Sequence, residues 1–351
     1  MTTPAGPPAL VVSVLGVPVG IPAAGSAVAR LRHQWSRALT DEPAAAVVDL
    51  TGLGDDELAH DYALTSRVTM VALEATAGRR INLHAGAVAD AAGRAIAVIG
   101  ASGSGKTTAI GLLATRLGYL SDETTSFDDT LTVHAHPKPL SVITDRDAPH
   151  RKQSVSPDDL GLLPPPASAR LHRIVLLHRG DDDSGLVPIT PAHAIAAMVP
   201  QSSSLALLEH PILRLAETID ACGGAWGLHY HELADWLDDL VLLLDASPQA
   251  PAPRVHHPSS PLAPAPPGTW SRAAWHDAVE YDDELVLMVG DRVQVLAGLG
   301  VLLWLALETP QGLDDLVARA QALAGEHPDA PALVADALAT LAEEGVVVAP
   351  A

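Results

Sequence analysis

Hydrophobic residues along the chain recur with two different spacings, which predicts a protein of strands and helices in alternation. Apolar runs of strand type occupy residues 9–21, where a Gly-Val-Pro turn divides two of them, and residues 44–52. A helical period marks residues 25–39 and 61–80. Residues 1–81 therefore predict an α/β lead-in without recognisable chemistry of its own.

Residues 81–127 carry a denser pattern of the same kind. Two apolar arms around a turn at Gly93 predict a β-hairpin over residues 81–100. A helix is expected from Lys106 onward and is expected to end in a left-handed cap at Gly118. The apolar run after it predicts another strand, so the order is hairpin, glycine-rich turn, helix and strand.

The rest of the chain is divided by a segment of biased composition. Residues 169–179 predict a buried strand, residues 191–224 predict helices, and residues 231–246 predict a closing amphipathic helix. Residues 247–268 are dominated by Pro, Ala and Ser, a composition that cannot form a core and predicts an extended linker. Residues 269–351 predict short strands followed by helices.

These patterns predict an α/β protein with a second, smaller α+β domain. Residues 1–81 form the lead-in and residues 82–246 the central domain, which contains the glycine-rich turn. The linker of residues 247–268 follows, and residues 269–351 are expected to resemble a winged helix.

Composition excludes some classes of function. The 42 acidic and 21 basic residues give a formal net charge of −21, which disfavours nucleic-acid binding. A single cysteine, Cys222, excludes an intrachain disulfide and fits a reducing compartment. The longest uncharged apolar run, residues 293–307, is too short to span a bilayer, and the N-terminus lacks the basic start of a signal peptide. We therefore expect a cytoplasmic protein with neither a nucleic-acid nor a membrane partner.

The glycine-rich turn carries the strongest chemical signal. Residues 100–107 match the pattern G-x-x-x-x-G-K-[ST], in which glycines let successive backbone N–H groups surround phosphate oxygens. Lys106 would reach the β- and γ-phosphates of ATP, and the Thr107 hydroxyl would bind Mg²⁺. A structural Gly-Ser loop is the alternative. The expected nucleotide-binding residues are Gly100, Ala101, Ser102, Gly103, Ser104, Gly105, Lys106, Thr107 and Thr108.

An acidic pair, Asp122 and Glu123, ends the strand that follows the helix. If that strand lies beside the one that enters the glycine-rich turn, its carboxyl end opens near the phosphates. Either carboxylate could then accept the proton of an attacking hydroxyl or, with Thr107, hold Mg²⁺. An ordinary solvated strand end is the alternative. Residues 241–245 have the letters of a second nucleotide motif, but the pattern there indicates the end of a helix.

Residues 82–145, which contain this turn and the acidic pair, resemble the HPr kinase/phosphorylase family, P-loop kinases related in fold to phosphoenolpyruvate carboxykinase. These enzymes transfer the γ-phosphate of ATP to a serine of a protein. The resemblance implies that His84 lies near the phosphates, although a histidine on an apolar strand is ordinarily a core residue. It also implies that Asp122 and Glu123 serve as base and metal contact, and they join Lys106 and His84 in the expected catalytic set.

Residues 136–143 are similar to a segment in a lesser-known branch of HPr kinase-like proteins, which implies that Lys138 faces the site. The chain also departs from true HPr kinases. Ala101 stands where those enzymes have Asp in the loop, Glu123 replaces the second Asp, and the C-terminal domain is foreign to them. HPr is therefore not the expected substrate, and the reverse phosphorylase activity has no support.

Residues 269–351 are similar to the PqqD family, also called RiPP recognition elements, which bind the leader of a ribosomally made precursor peptide. The resemblance implies that the leader adds as an extra strand near Val293–Leu296, with a groove beside Leu333–Leu341. A winged-helix dimerisation module is the alternative, which would make a homo-oligomer. DNA binding is disfavoured because this segment has only three arginines and no lysine.

The remaining signals are weaker. They comprise two histidine pairs with metal-ligand spacing, a histidine pair expected to be solvated in the linker, and a basic cluster. These residues are His134 with His136, His229 with His231, His256 with His257, and Arg146, His150, Arg151 and Lys152. Cys222 has no activating neighbour in sequence that would make it a thiol nucleophile.

Together these features predict a kinase that uses ATP and Mg²⁺ to phosphorylate a Ser or Thr hydroxyl of a precursor peptide. Residues 269–351 would hold the leader of that peptide, and other maturation enzymes are possible further partners. Two alternatives stay open. One is an ATP-binding scaffold in a peptide-maturation complex, and the other is a small-molecule kinase whose C-terminal domain is structural.

Overall fold

The computed structural model describes residues 8–53, 56–101, 103–143, 152–180 and 184–350, which form a mixed α/β protein. The helices are α1 (Ser26–Gln34), α2 (Glu57–Thr76), α3 (Lys106–Leu113), α4 (Pro191–Met198), α5 (Pro211–Ala221), α6 (Leu237–Leu242), α7 (Leu299–Ala306), α8 (Leu313–Ala324) and α9 (Ala330–Glu343). The strands are β1 (Leu10–Val14), β2 (Val17–Ile21), β3 (Ala46–Val47), β4 (Ile81–Leu83), β5 (Ala85–Ala89), β6 (Arg94–Ile99), β7 (Gly118–Ser121), β8 (Thr125–Phe127), β9 (Thr132–His134), β10 (Leu140–Ile143), β11 (Lys152–Val155), β12 (Ala169–Arg179), β13 (Gly185–Ile189), β14 (Ser202–Ser203), β15 (Ala225–Tyr230), β16 (Arg254–Pro258), β17 (Ser271–Arg272), β18 (Asp277–Tyr281), β19 (Glu284–Val289), β20 (Arg292–Ala297) and β21 (Val347–Val348). Of the helices in these ranges, none is both long and apolar enough to cross a lipid bilayer.

Contacts between the elements divide the chain into two compact units. The first comprises Met1–Ile189, Gln201–Leu208 and Cys222–Pro248, and the second comprises Thr190–Pro200, Glu209–Ala221 and Gln249–Ala351. Helices α4 and α5, which the pattern placed in the central domain, therefore group with the C-terminal elements.

The first unit is built on a mixed sheet with the strand order β14-β4-β8-β9-β12-β6-β5-β7, and β15 links β12 to β13. β12 runs parallel to β6 on one side and to β15 on the other. The apolar residues of β6 and of the middle of β12 follow one another without polar alternation, as is typical of strands covered on both faces. Nearly all of these residues are buried. Helices α3 and α6 share a core with these strands, which includes Ile110, Val175 and Leu240.

The predicted hairpin is confirmed, since β5 and β6 pair in antiparallel fashion across a turn at Gly93, whose φ is 82°. The condition that β7 lies directly beside β6 is not met, because β7 pairs with the other side of β5, which lies between them. β6 already pairs with β5 on one side and with β12 on the other, so β7 adds to the far side of β5. Because β6 and β7 are both antiparallel to β5, their carboxyl ends, at Ile99 and Ser121, open at the same edge of the sheet.

The expected helix cap at Gly118 is wrong. Helix α3 ends at Leu113, and Gly118 is the first residue of β7. A Cβ at Gly118 would lie 2.6 Å from the backbone oxygen of Pro164, so this glycine permits a close approach of two backbones. The predicted closing helix is also shorter than expected, because only α6 is α-helical and 3-10 turns flank it.

The lead-in forms its own layer within the first unit. Strands β1, β2 and β3 make a small sheet, and side chains of α1 and α2 share its core. The turn between β1 and β2 lies at Leu15 and Gly16, so the valine and proline of the expected turn already belong to β2. Trp35 is the largest side chain buried in this core.

The second unit contains a sheet with the order β16-β18-β19-β20, together with helices α7, α8 and α9. The pattern predicted short strands followed by helices for residues 269–351. Strands β18 to β20 and helices α7 to α9 confirm this prediction. The tryptophans Trp275 and Trp304 meet edge to face in the core with ring centroids 5.4 Å apart.

Part of the expected linker is a strand. β16 lies within residues 247–268 and pairs with β18 along its whole length. His256 and His257, expected to be solvated, are half-buried and contact the carboxylates of Asp277 and Glu280. Local composition could not reveal this, because the strand is stabilised by its pairing partner and not by its own apolar residues.

The contact between β5 and α3 predicts a position where a methyl group is not tolerated. A Cβ at Gly86 would lie 2.2 Å from Cγ1 of Ile110, whereas a Cβ at Gly111 in α3 meets nothing within 4 Å. We expect Gly86→Ala to lower the free energy of unfolding by about 1–3 kcal/mol through overpacking. Gly111→Ala, the matched control, should raise it by up to about 1 kcal/mol because alanine favours the helix. Urea denaturation checks both, and equal effects of the two variants would contradict this packing.

Candidate functional site

The glycine-rich loop joins the end of β6 to the start of α3, as the sequence predicted. Gly103 and Gly105 have φ values of 84° and 89°, which residues other than glycine rarely adopt. A Cβ at Gly105 would lie 2.6 Å from the Tyr230 hydroxyl, and that hydroxyl donates a hydrogen bond to the backbone oxygen of Ser104. Tyr230 on β15 thus fixes the loop from one side, and glycine is the residue that fits. Ser102 lies outside the described residues.

Lys106 begins α3 and points back into this loop. Its ammonium donates to the backbone oxygens of Gly100 at 2.6 Å and Ala101 at 3.2 Å. Burial lowers the pKa of Lys106 below its ordinary value. The Ser104 hydroxyl is buried and has no hydrogen-bond partner among the described residues. The loop thus combines a lysine, glycine backbone amides and a helix N-terminus. Together these groups can stabilise an anion such as a phosphate.

The acidic pair directly follows β7, and a buried lysine holds it. Lys138 Nζ lies 3.0 Å from Asp122 Oδ1 and 3.2 Å from Glu123 Oε2. The hydroxyl of Tyr119 also donates to Asp122 Oδ1, at 3.0 Å. Asp122 and Lys138 are only 6% and 2% exposed, whereas Glu123 is more open. Asp122 is thus oriented by two donors in a place that water hardly reaches.

Burial and the neighbouring carboxylates have opposite effects on the pKa of Lys138. Burial by itself would lower the pKa of Lys138, but the carboxylates of Asp122 and Glu123 raise it above its ordinary value. Burial, with the adjacent Asp122, raises the pKa of Tyr119 well above its ordinary value. Lys138 therefore stays charged at neutral pH, and Tyr119 keeps the proton that it donates to Asp122.

His84 lies between β4 and β5, at the same edge of the sheet. Its backbone N–H donates to Gln201 at 2.6 Å, which fixes the position of its backbone. The residue lines the pocket and is only partly buried, so it is not an ordinary core histidine. Partial burial and the charge of Lys106 lower its pKa, so the ring is neutral at pH 7.

One pocket of about 460 Å³ joins these groups. The expected site residues that line it are His84, Gly103, Gly105, Lys106, Thr107, Thr108, Asp122 and Glu123, together with Lys138. Gly100, Ala101 and Ser104 belong to the loop but not to the lining of this pocket. The structure thus brings the glycine-rich loop and the acidic pair to one cavity although they lie on different strands.

Sequence reasoning missed other lining residues. Tyr62, Thr65 and Ser66 come from α2, a helix to which the pattern assigned no chemistry, and nothing in its sequence signals the role. Arg179 ends β12, which runs parallel to β6 with Leu176 opposite Ile99. A signal for Arg179 did exist, since a basic residue after a buried strand stands at the edge where parallel strands end.

Several weaker candidates lie elsewhere. His136 is buried against Thr69 and His134 contacts Asp128, so this pair does not converge on one ligand. His229 stacks on the ring of His178 at 4.7 Å. Lys152 begins β11, while Arg146, His150 and Arg151 lie outside the described residues.

Cys222, the lone thiol of the chain, is buried. Burial raises its pKa to about 12, which removes it as a nucleophile at neutral pH.

Comparison with models of known protein families finds no match for this chain, and none of the curated proteins matches its sequence.

The buried ion pair predicts a large effect of removing its cation. Lys138→Met would leave the nearly inaccessible carboxylate of Asp122 without its charge partner. We expect a loss of about 3–5 kcal/mol in the free energy of unfolding, measured by urea denaturation at pH 7. The double variant Asp122→Asn with Lys138→Met should recover much of this loss, because no buried charge then lacks a partner. A loss below about 1 kcal/mol in the single variant would contradict the burial of this pair.

Proposed function

We propose that this protein is a phosphotransferase that uses ATP and Mg²⁺ to phosphorylate a Ser or Thr hydroxyl of a ribosomally made precursor peptide. The observation that carries the proposal is one pocket that holds both the glycine-rich loop with Lys106 and the oriented carboxylate of Asp122. The resemblance to HPr kinases and to PqqD-like proteins indicates the donor and the kind of acceptor.

The loop fits the phosphates of a nucleotide. Side chains at Gly100 and Gly105 would collide with Ser104 and Tyr230, so the cradle depends on bare backbone. Lys106 already lies in the loop through contacts to two carbonyl oxygens, which it can exchange for phosphate oxygens. Mg·ATP, when bound there, would supply the phosphoryl group and a divalent cation. Thr107 and Glu123, both on the pocket wall, are the residues that would hold the metal.

Asp122 takes the role of the base. Lys138 and Tyr119 both contact its Oδ1 and hold the carboxylate in one orientation, which positions it to meet the hydroxyl of a bound acceptor. The neutral imidazole of His84 can donate or accept a hydrogen bond at the same pocket without adding charge.

Besides Lys138, which is paired with the two acidic residues, two further cations line the pocket. Lys106 is anchored to the loop backbone, and Arg179 lines the pocket at the end of β12. Charge that develops on a transferring phosphoryl group is stabilised by cations that line the site. We assign this role to both residues.

The second unit offers a place for a leader peptide. β20, which includes Val293–Leu296, pairs with β19, and among the described residues no further strand pairs with it. An edge strand presents backbone groups to which an extended peptide can add. On α9, Leu333 is 48% exposed while Leu338 and Leu341 lie in the core, so Leu333 is the residue of the expected groove that can meet a peptide.

The assay uses purified full-length protein, labelled ATP, and a precursor peptide encoded beside its gene, with and without the leader. We expect label on the peptide that carries the leader, and much slower labelling without it, because tethering raises the local substrate concentration to roughly millimolar. Asp122→Asn should slow transfer by about 10²-fold or more while ATP binding persists. Label on neither peptide, with ATP bound, would favour a scaffold. Equal labelling with and without the leader would contradict leader recognition.

Arg179 has a matched control on its own strand. Arg179→Met should lower kcat by about 10²-fold, because one cation facing the transferring group is lost. Arg170 lies at the opposite end of β12, opposite Arg94, and donates to Thr130. Arg170→Met should leave kcat unchanged in the same assay. A similar kcat for both variants would remove Arg179 from the proposed mechanism.

A further inference from the structure

A second cluster of chemically active side chains lies in the second unit. His210 stands at the start of α5, His256 on β16 and Asp277 on β18. Each offers one ligand atom, and the three atoms lie within 4.8 Å of one another. None of these residues belongs to the proposed phosphotransfer pocket.

Asp277 is the centre of this cluster and is fully buried. Its Oδ2 accepts the backbone N–H groups of Ile212 at 2.8 Å and Leu213 at 3.0 Å, in the first turn of α5. Its Oδ1 lies 2.7 Å from Nε2 of His256 and 3.9 Å from Nδ1 of His210. One oxygen thus caps the helix, and the other is directed at two imidazoles.

His210 adopts a backbone conformation that a non-glycine residue rarely takes, with φ at 49°. This conformation brings its ring to 4.8 Å from the ring of His256, edge to face. Strained backbone of this kind is concentrated at functional sites, where the surroundings maintain it. The helix cap itself does not need the imidazole of His210, because Oδ2 of Asp277 already provides it.

Two imidazoles and a carboxylate form a ligand set that Zn²⁺ accepts, whereas Mg²⁺ and Ca²⁺ prefer oxygen ligands only. The Nε2 of His210 lies 3.7 Å from Oε1 of Glu209, so a carboxylate faces the ring nitrogen that would not bind the metal. The nearby Arg254 is paired with Asp220, which offsets its repulsion of a cation.

We propose that His210, His256 and Asp277 bind one divalent transition-metal ion, with Zn²⁺ as the expected ion. Nδ1 of His210, Nε2 of His256 and Oδ1 of Asp277 are its ligands, and water completes the coordination. On binding, the hydrogen bond from His256 to Asp277 is replaced by two bonds to the metal, and the proton on Nε2 moves to Nδ1 or to solvent. The ion fastens β16 and the start of α5 to β18. This site is independent of the proposed kinase activity.

The test uses the full chain without a polyhistidine tag, stripped of metal by a chelator and titrated with Zn²⁺ by calorimetry. We expect one equivalent to bind and the unfolding temperature to rise with Zn²⁺. Co²⁺ should give the visible absorption of a nitrogen and oxygen site. An absence of saturable binding at micromolar Zn²⁺ would overturn the proposal.

The variants are chosen to distinguish the removal of a metal-binding side chain from a general loss of stability. His210→Asn keeps the Asp277–His256 pair and the helix cap, and asparagine tolerates the left-handed backbone. It should weaken Zn²⁺ binding at least about tenfold without lowering the unfolding temperature of the metal-free protein. His257→Ala is the matched control, because His257 is the next residue on β16 and pairs with Glu280 instead. Zn²⁺ binding unchanged in His210→Asn, or weakened equally in His257→Ala, would overturn the assignment.

Discussion

The position of β5 between β6 and β7 is the constraint on which the candidate site depends. Because β5 is antiparallel to both neighbours, the glycine-rich loop and the acidic pair leave the sheet at one edge. Gly86 on β5 lets Ile110 of α3 approach closely, which ties the helix behind the loop to the same strand. A shift of one residue in the pairing of β5 with β6 and β7 would turn side chains to the other face of the sheet. It would also separate the glycine-rich loop from the acidic pair.

Within that frame, buried polar contacts determine the chemistry. Lys138 is charged because two carboxylates outweigh the effect of burial on its pKa. The same ammonium and the hydroxyl of Tyr119 orient Asp122, and the hydroxyl of Tyr230 holds the loop backbone opposite. Groups fixed in this way need little rearrangement when charge develops, which is the property that the proposed phosphoryl transfer requires.

The second unit uses a buried carboxylate for a different purpose. Asp277 caps α5 with one oxygen and faces two histidines with the other, so it connects a helix and two strands at one point. The contact of His256 with Asp277 adds a side-chain link to the backbone pairing of β16 with β18. The first unit thus surrounds a buried carboxylate with an ammonium, and the second surrounds one with imidazoles.

Local sequence was sufficient for the hairpin turn at Gly93, for the strand, loop and helix around Lys106, and for the elements between residues 277 and 343. These depend on periodicity and on backbone freedom within a few residues. Tertiary structure alone decided that β5 separates β6 from β7 and that β16 joins a sheet. Each of these depends on pairing between segments far apart in the chain, where the local pattern carries no information about the partner.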